Sequence, residues 1–107
     1  MKIAISSSDG NFVDIHFGKC LKWTIADFDP QTGNFSILQT REAQRLCSGG
    51  GHNENAVETI FETLSDCGII ITARMGIWIK QSAINRGIKV IEYVGEIKDC
   101  LEILRKS

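Results

Sequence analysis

The run Ile69-Ile70-Ile71-Thr72 constrains this chain more than any other feature. Four β-branched residues in a row suit a strand buried on both faces, as in a parallel sheet covered by helices. Upstream, Ala56, Val57, Ile60, Phe61 and Leu64 recur at helical spacing from a start near Asn53, with Gly68 as a stop. Downstream, Gly76 to Arg86 can form a helix that ends at Gly87. Ile88 to Val94 then reads as a strand, and Ile97, Leu101 and Leu104 mark a final helix. Strands and helices that alternate with short connections imply a right-handed parallel crossover.

The first half has a different pattern. Lys2 to Ser7 alternates Ile3 and Ile5 with smaller residues and reads as a strand. Ser8-Asp9-Gly10-Asn11 ends it with turn chemistry, and Phe12 to Lys19 follows as an irregular stretch. Trp23 to Phe28 and Phe35 to Gln39 are two more strands. The turn Asp29-Pro30-Gln31-Thr32-Gly33-Asn34 between them favours an antiparallel hairpin. The two halves together predict an α/β fold with a mixed sheet and helices on its faces. At 107 residues the chain is expected to be a single domain, 1–107.

Composition narrows the function classes. With 43% hydrophobic and 23% charged residues, the chain can bury a core, which excludes a disordered chain. Twelve basic residues against thirteen acidic ones give a net charge of −1, so no basic stripe points to nucleic acid. The longest apolar run, roughly Cys67 to Ala73, is far short of the about 20 residues a membrane span needs. The N-terminus has no signal-peptide core, so a cytoplasmic protein that engages no membrane is expected. Its four cysteines then read as thiols, thiolate ligands or packed core residues rather than disulfides.

Two polar loops carry the candidate chemistry. Asp14-Ile15-His16-Phe17-Gly18-Lys19-Cys20 and Cys47-Ser48-Gly49-Gly50-Gly51-His52-Asn53 each hold one His and one Cys. Imidazole and thiolate together suit zinc, copper and iron–sulfur species. A helical turn over 16–20 would place His16 and Cys20 on one face. The other reading of Cys20 is a half-buried small hydrophobe ahead of a strand. Gly49, Gly50 and Gly51, just before a helix, can form a nest of N–H groups that favours an anion, or a plain flexible turn. No Walker loop or dinucleotide fingerprint accompanies them.

Cys67 and Cys100 fall at apolar-face positions and read as core, as do Trp23 and Phe28. In parallel sheets, ligands lie at the carboxyl ends of strands. Gly10 to Lys19 and Arg74 to Gly76 follow two such strands. They are expected to converge, so that Arg74 either faces an anion or simply starts a surface helix. No hydrolytic constellation stands out. Ser6-Ser7-Ser8 lacks the glycines of a nucleophile elbow, and Asp9 and Asp14 read as solvated or capping carboxylates.

Three blocks carry a resemblance: Ile3-Ala4-Ile5-Ser6-Ser7, Val13-Asp14-Ile15-His16-Phe17-Gly18, and Cys47-Ser48-Gly49-Gly50-Gly51-His52 before an amphipathic helix. With Asp66-Cys67-Gly68, Met75-Gly76 and Gly87-Ile88-Lys89-Val90-Ile91, they resemble the dinitrogenase iron–molybdenum cofactor biosynthesis family over about residues 2 to 104. That family includes NifX and the C-terminal domain of NifB. The resemblance implies a ribonuclease H-like sandwich, with a mixed five-stranded sheet and helices on both faces. It implies no nuclease activity.

The resemblance also implies a non-catalytic carrier of an iron–sulfur or molybdenum-containing metal–sulfide cluster, with a cluster-donor or acceptor protein as partner. His16 carries over as a cluster contact. Cys20, Cys47 and His52 complete the expected metal-binding set, and Gly49, Gly50, Gly51 and Arg74 would offset charge on the sulfides. A homodimer would let two copies share ligands around one cluster. The rival readings are a metal-free regulatory or adaptor module of the same fold and a mononuclear zinc or copper site.

Overall fold

The computed structural model describes residues 1–42 and 54–106, with the backbone alone for 54–56. The elements run β1 (Lys2–Ser6), β2 (Phe12–Val13), a 3-10 turn (Phe17–Lys19), β3 (Lys22–Phe28), β4 (Phe35–Glu42), α1 (Glu54–Thr63), β5 (Ile69–Thr72), α2 (Ile77–Asn85), β6 (Lys89–Glu92), β7 (Gly95–Glu96) and α3 (Ile97–Lys106). Five strands form one sheet in the order β4-β3-β1-β5-β6, and β2 pairs separately with β7.

The sheet is mixed, as the two halves of the sequence predict. β1 pairs antiparallel with β3, which pairs antiparallel with β4. β1 and β5 pair in parallel, as do β5 and β6. The hairpin expected around Pro30 closes β3 onto β4, with Gly33 at φ 79° completing its turn. β4 runs on to Glu42, three residues past the expected end, and the register slips between Ile25 and Ala26. Such a bulge bends an edge strand away from further pairing.

Strand periodicity sorts the core into two layers. Ala4, Trp23, Ile25 and Ile70 face the side covered by α1 and α2, through Ile60, Phe61 and Ala83. Ile3, Ile5, Ala26, Phe28, Ile69 and Ile71 face the side covered by α3, through Ile97, Cys100 and Leu101. Helices therefore cover both faces, and the Ile69–Thr72 run is buried throughout. Trp23, Phe28, Cys67 and Cys100 are core residues, as expected. α1 stops at Thr63, and Leu64 to Cys67 continue as a turn toward Gly68. Among the described residues, no helix is long and apolar enough to cross a membrane.

Candidate functional site

The parallel strands β1, β5 and β6 place their carboxyl ends at one edge of the sheet. β4 and β1 are both antiparallel to β3, so β4 also ends there, at Glu42. The chain leaves β1 toward one side of the sheet and later returns on the other. That makes the β1/β5 boundary a topological switch point, the usual ligand crevice of open α/β sheets.

The loops that follow β1 and β5 converge at this edge. Phe17 donates its backbone N–H to the Arg74 carbonyl at 2.9 Å, and Ala73 donates to the Ile15 carbonyl at 3.1 Å. Beneath them is a small buried network. Ser6 Oγ lies 2.7 Å and Thr72 Oγ1 3.1 Å from the same Ile15 carbonyl, and the two hydroxyls are 2.9 Å apart. Two strand ends thus grip one loop carbonyl immediately before His16.

His16 is exposed and precedes the 3-10 turn, and its side chain makes no capping bond there. The imidazole is therefore not spent on the local turn. Arg74 is also exposed, and its backbone carbonyl serves the fold by accepting from Phe17.

Cys20 is not at the loop surface with His16. It is fully buried, and its thiol lies 3.3 Å from the Lys22 carbonyl. Burial pushes that thiol up to about 12, so it is held protonated. The 3-10 turn is tighter than an α-turn, and it rotates Cys20 inward under Phe17 instead of aligning it with His16. Of the two readings of Cys20, the packed one describes this structure. Cys47, Gly49, Gly50, Gly51 and His52 lie outside the described residues. The chain enters 43–53 from Glu42, at the edge that carries His16 and Arg74. Among the described residues, no group of three or more His, Cys, Asp or Glu side chains could hold a metal ion.

Glu92, at the end of β6, had no motif to mark it. Its carboxylate accepts from Lys80 Nζ at 2.7 Å and from the Met75 N–H at 3.3 Å. Lys80 first, then the Met75 amide and the charge of Arg74, hold Glu92 below the usual glutamate range. This contact ties the 74–76 loop to α2 and β6. Asp9 and Asp14 act as capping carboxylates. Asp9 accepts from the Asn11 and Phe12 amides, and Asp14 from Ser8. They organise the loop after β1.

A family model described as dinitrogenase iron-molybdenum cofactor matches residues 1–107. The chain belongs to that family. Among curated proteins it is similar to the FeMo cofactor biosynthesis protein NifB of Frankia alni, 25% identical over 93 residues and 84% of the chain. The NifB of Herbaspirillum seropedicae is 23% identical over 90 residues, again 84% of the chain. The chain spans only 18% and 17% of the length of those relatives.

Solved structures share the fold. The crystal structure of PH0822 superposes with a TM-score of 0.70 at 17% identity, covering 99% of this chain and 90% of that one. The mj0327 structure from Methanocaldococcus jannaschii gives 0.61 at 15% identity, covering 99% and 88%. The family places the chain in the context of iron–molybdenum cofactor biosynthesis and nitrogen fixation.

Proposed function

We propose that this protein is a non-catalytic carrier that binds an iron–sulfur or mixed-metal–sulfide cluster, of the iron–molybdenum cofactor or precursor type, and delivers it to an acceptor protein. The observation that carries the reading is the convergence of the His16 and Arg74 loops at the switch point of a chain in this family. His16, Cys47 and His52 supply soft ligands for the metal. Gly49, Gly50 and Gly51 offer backbone N–H groups, and Arg74 a guanidinium, to the anionic sulfides. Cys20 joins the ligand set only if its turn opens, because its thiol is buried and protonated.

An exposed site with few ligands suits cargo that must be released. Ile77 and Trp78 are 75% and 85% exposed on the first turn of α2, directly after Arg74-Met75-Gly76. They suit contact with the donor or acceptor protein, since exposed aromatic anchors dominate interface energetics. The strand order and two-faced helix cover support the ribonuclease H-like sandwich that the family resemblance implies.

Anaerobic reconstitution with iron and sulfide tests the function. Stable colour and stoichiometric sulfide are expected in the wild type, reduced in His16→Ala. A wild type that retains neither iron nor sulfide would overturn the carrier reading in favour of a metal-free adaptor. Zinc without acid-labile sulfide would favour a mononuclear site.

A further inference from the structure

One peptide unit at the loop edge is held from both of its ends. The carbonyl of the Arg74–Met75 peptide accepts from the Phe17 N–H at 2.9 Å. The N–H of the same unit donates to the Glu92 carboxylate at 3.3 Å. The first bond reaches the loop that carries His16, and the second reaches the end of β6. Glu92 is itself held by Lys80 Nζ at 2.7 Å, from one turn along α2.

Strand register explains why position 92 can do this. Glu92 is the cross-strand partner of Thr72. Thr72 Oγ1 lies 3.1 Å from the Ile15 carbonyl, directly before His16. Neighbouring positions on two parallel strands thus secure the two loops, Thr72 before His16 and Glu92 after Arg74. Lys80 first, then the Met75 amide, hold Glu92 below the usual glutamate range, so it is ionised at neutral pH. A charged acceptor strengthens the hydrogen bond it receives. Bonds at the two ends of one peptide unit also polarise each other, so the Glu92 carboxylate tightens the Phe17–Arg74 link.

Resting on the carrier reading, we propose that Glu92 is a positioning residue of the cargo site: gripped by Lys80, it fixes the Arg74–Met75 peptide so that His16 and Arg74 meet one cluster together. Glu92 does not touch the cargo. The cluster is met at the exposed edge, with both loops in the places they occupy here. The Glu92 side chain is 34% exposed and belongs to neither core layer, so replacing it leaves the core packing intact.

Glu92→Ala removes the acceptor, and Glu92→Gln restores a neutral one. Glu58→Ala breaks an ion pair with Arg86 at the far end of α2 and controls for general loosening. Amide hydrogen exchange of the unloaded proteins reads the link between the loops. Release of iron and sulfide from the anaerobically loaded proteins reads the cargo, and thermal midpoints check the fold. In Glu92→Ala, the Phe17 amide is expected to exchange about fivefold faster than in wild type, and iron and sulfide to leave about threefold faster than from wild type or Glu58→Ala. Glu92→Gln is expected to regain part of both. Release from Glu92→Ala that matches wild type or Glu58→Ala, or faster release with an unchanged Phe17 amide, would overturn the role of Glu92 and leave the carrier reading standing. A wild type that holds no iron and sulfide would overturn the carrier reading and the cargo role with it, while the Phe17 amide would still report whether Glu92 secures the loops.

Discussion

Phe17 hangs from Arg74: its amide meets the Arg74 carbonyl at 2.9 Å, tying the loop after β1 to the loop after β5. The two residues are far apart in the chain, yet this bond and its neighbour from Ala73 to Ile15 bring the His16 side chain and the Arg74 guanidinium to one edge. The link uses backbone atoms, so it places both side chains while leaving them exposed.

The hydroxyls of Ser6 and Thr72 secure that link from below, both against the Ile15 carbonyl. Thr72→Val removes one of them from a fully buried position. A loss of about 1–2 kcal/mol in unfolding free energy is expected, the scale for disturbing a buried hydrogen bond. Ser6→Ala should cost a similar amount, and the double variant less than the sum because the groups share a partner. Urea denaturation of the four proteins measures this, and additive losses would show that the hydroxyls act independently.

Much of this arrangement was legible in the sequence. The β-branched run at 69–72 marked a doubly covered strand, and the parallel order that follows from it brought the two loops together. Other parts carried no readable signal. β2 and β7 are two residues each, too short for any periodicity, and Phe12–Val13 pairs only because the chain returns at Gly95–Glu96. Cys20 was ambiguous because its exposure depends on the type of turn between it and His16, and a 3-10 turn differs from an α-turn by a rotation that composition does not encode. Glu92 and Lys80 looked like ordinary surface charges until β6 and α2 were placed side by side.

The three described thiols should be inert in the folded protein. Burial pushes Cys20 up to about 12 and Cys67 and Cys100 up to about 11. Thiolate is the reactive form, so at pH 8 almost none is present. Iodoacetamide followed by mass spectrometry should leave Cys20, Cys67 and Cys100 unmodified in buffer and modify all three in denaturant. Rapid native labelling of Cys20 would show that its turn opens readily, which would return it to the ligand set.

Acid should weaken the fold partly through Asp66. Its carboxylate accepts hydrogen bonds from Arg41 Nη1 and Nη2 and from Lys2 Nζ. The Arg41 bonds first, then Lys2, hold it well below the usual aspartate range. A folded value below the unfolded one means that the unfolded chain binds the proton more readily. The stabilisation is therefore complete above about pH 4, the unfolded aspartate value, and is lost as pH falls through the lower folded value. Asp66→Asn should lower stability at pH 7 by about 1 kcal/mol or less, the range for partly exposed ion pairs. It should also flatten the decline between about pH 4 and pH 2. Denaturation midpoints across that interval, compared with wild type, check both effects.

Arg74 separates fold from function. Its structural bond comes from the backbone carbonyl, which Arg74→Gln retains. Its side chain is exposed, so the substitution should change stability by no more than about 0.5 kcal/mol. Binding should respond differently. If the guanidinium offsets charge on an anionic metal–sulfide cargo, its loss should weaken retention of iron and sulfide several-fold at low salt. Salt screens exposed charges, so the gap between wild type and variant should narrow as sodium chloride rises toward about 0.5 M. Equal retention at every salt concentration would assign Arg74 to the scaffold and leave the anion to the glycine-rich segment.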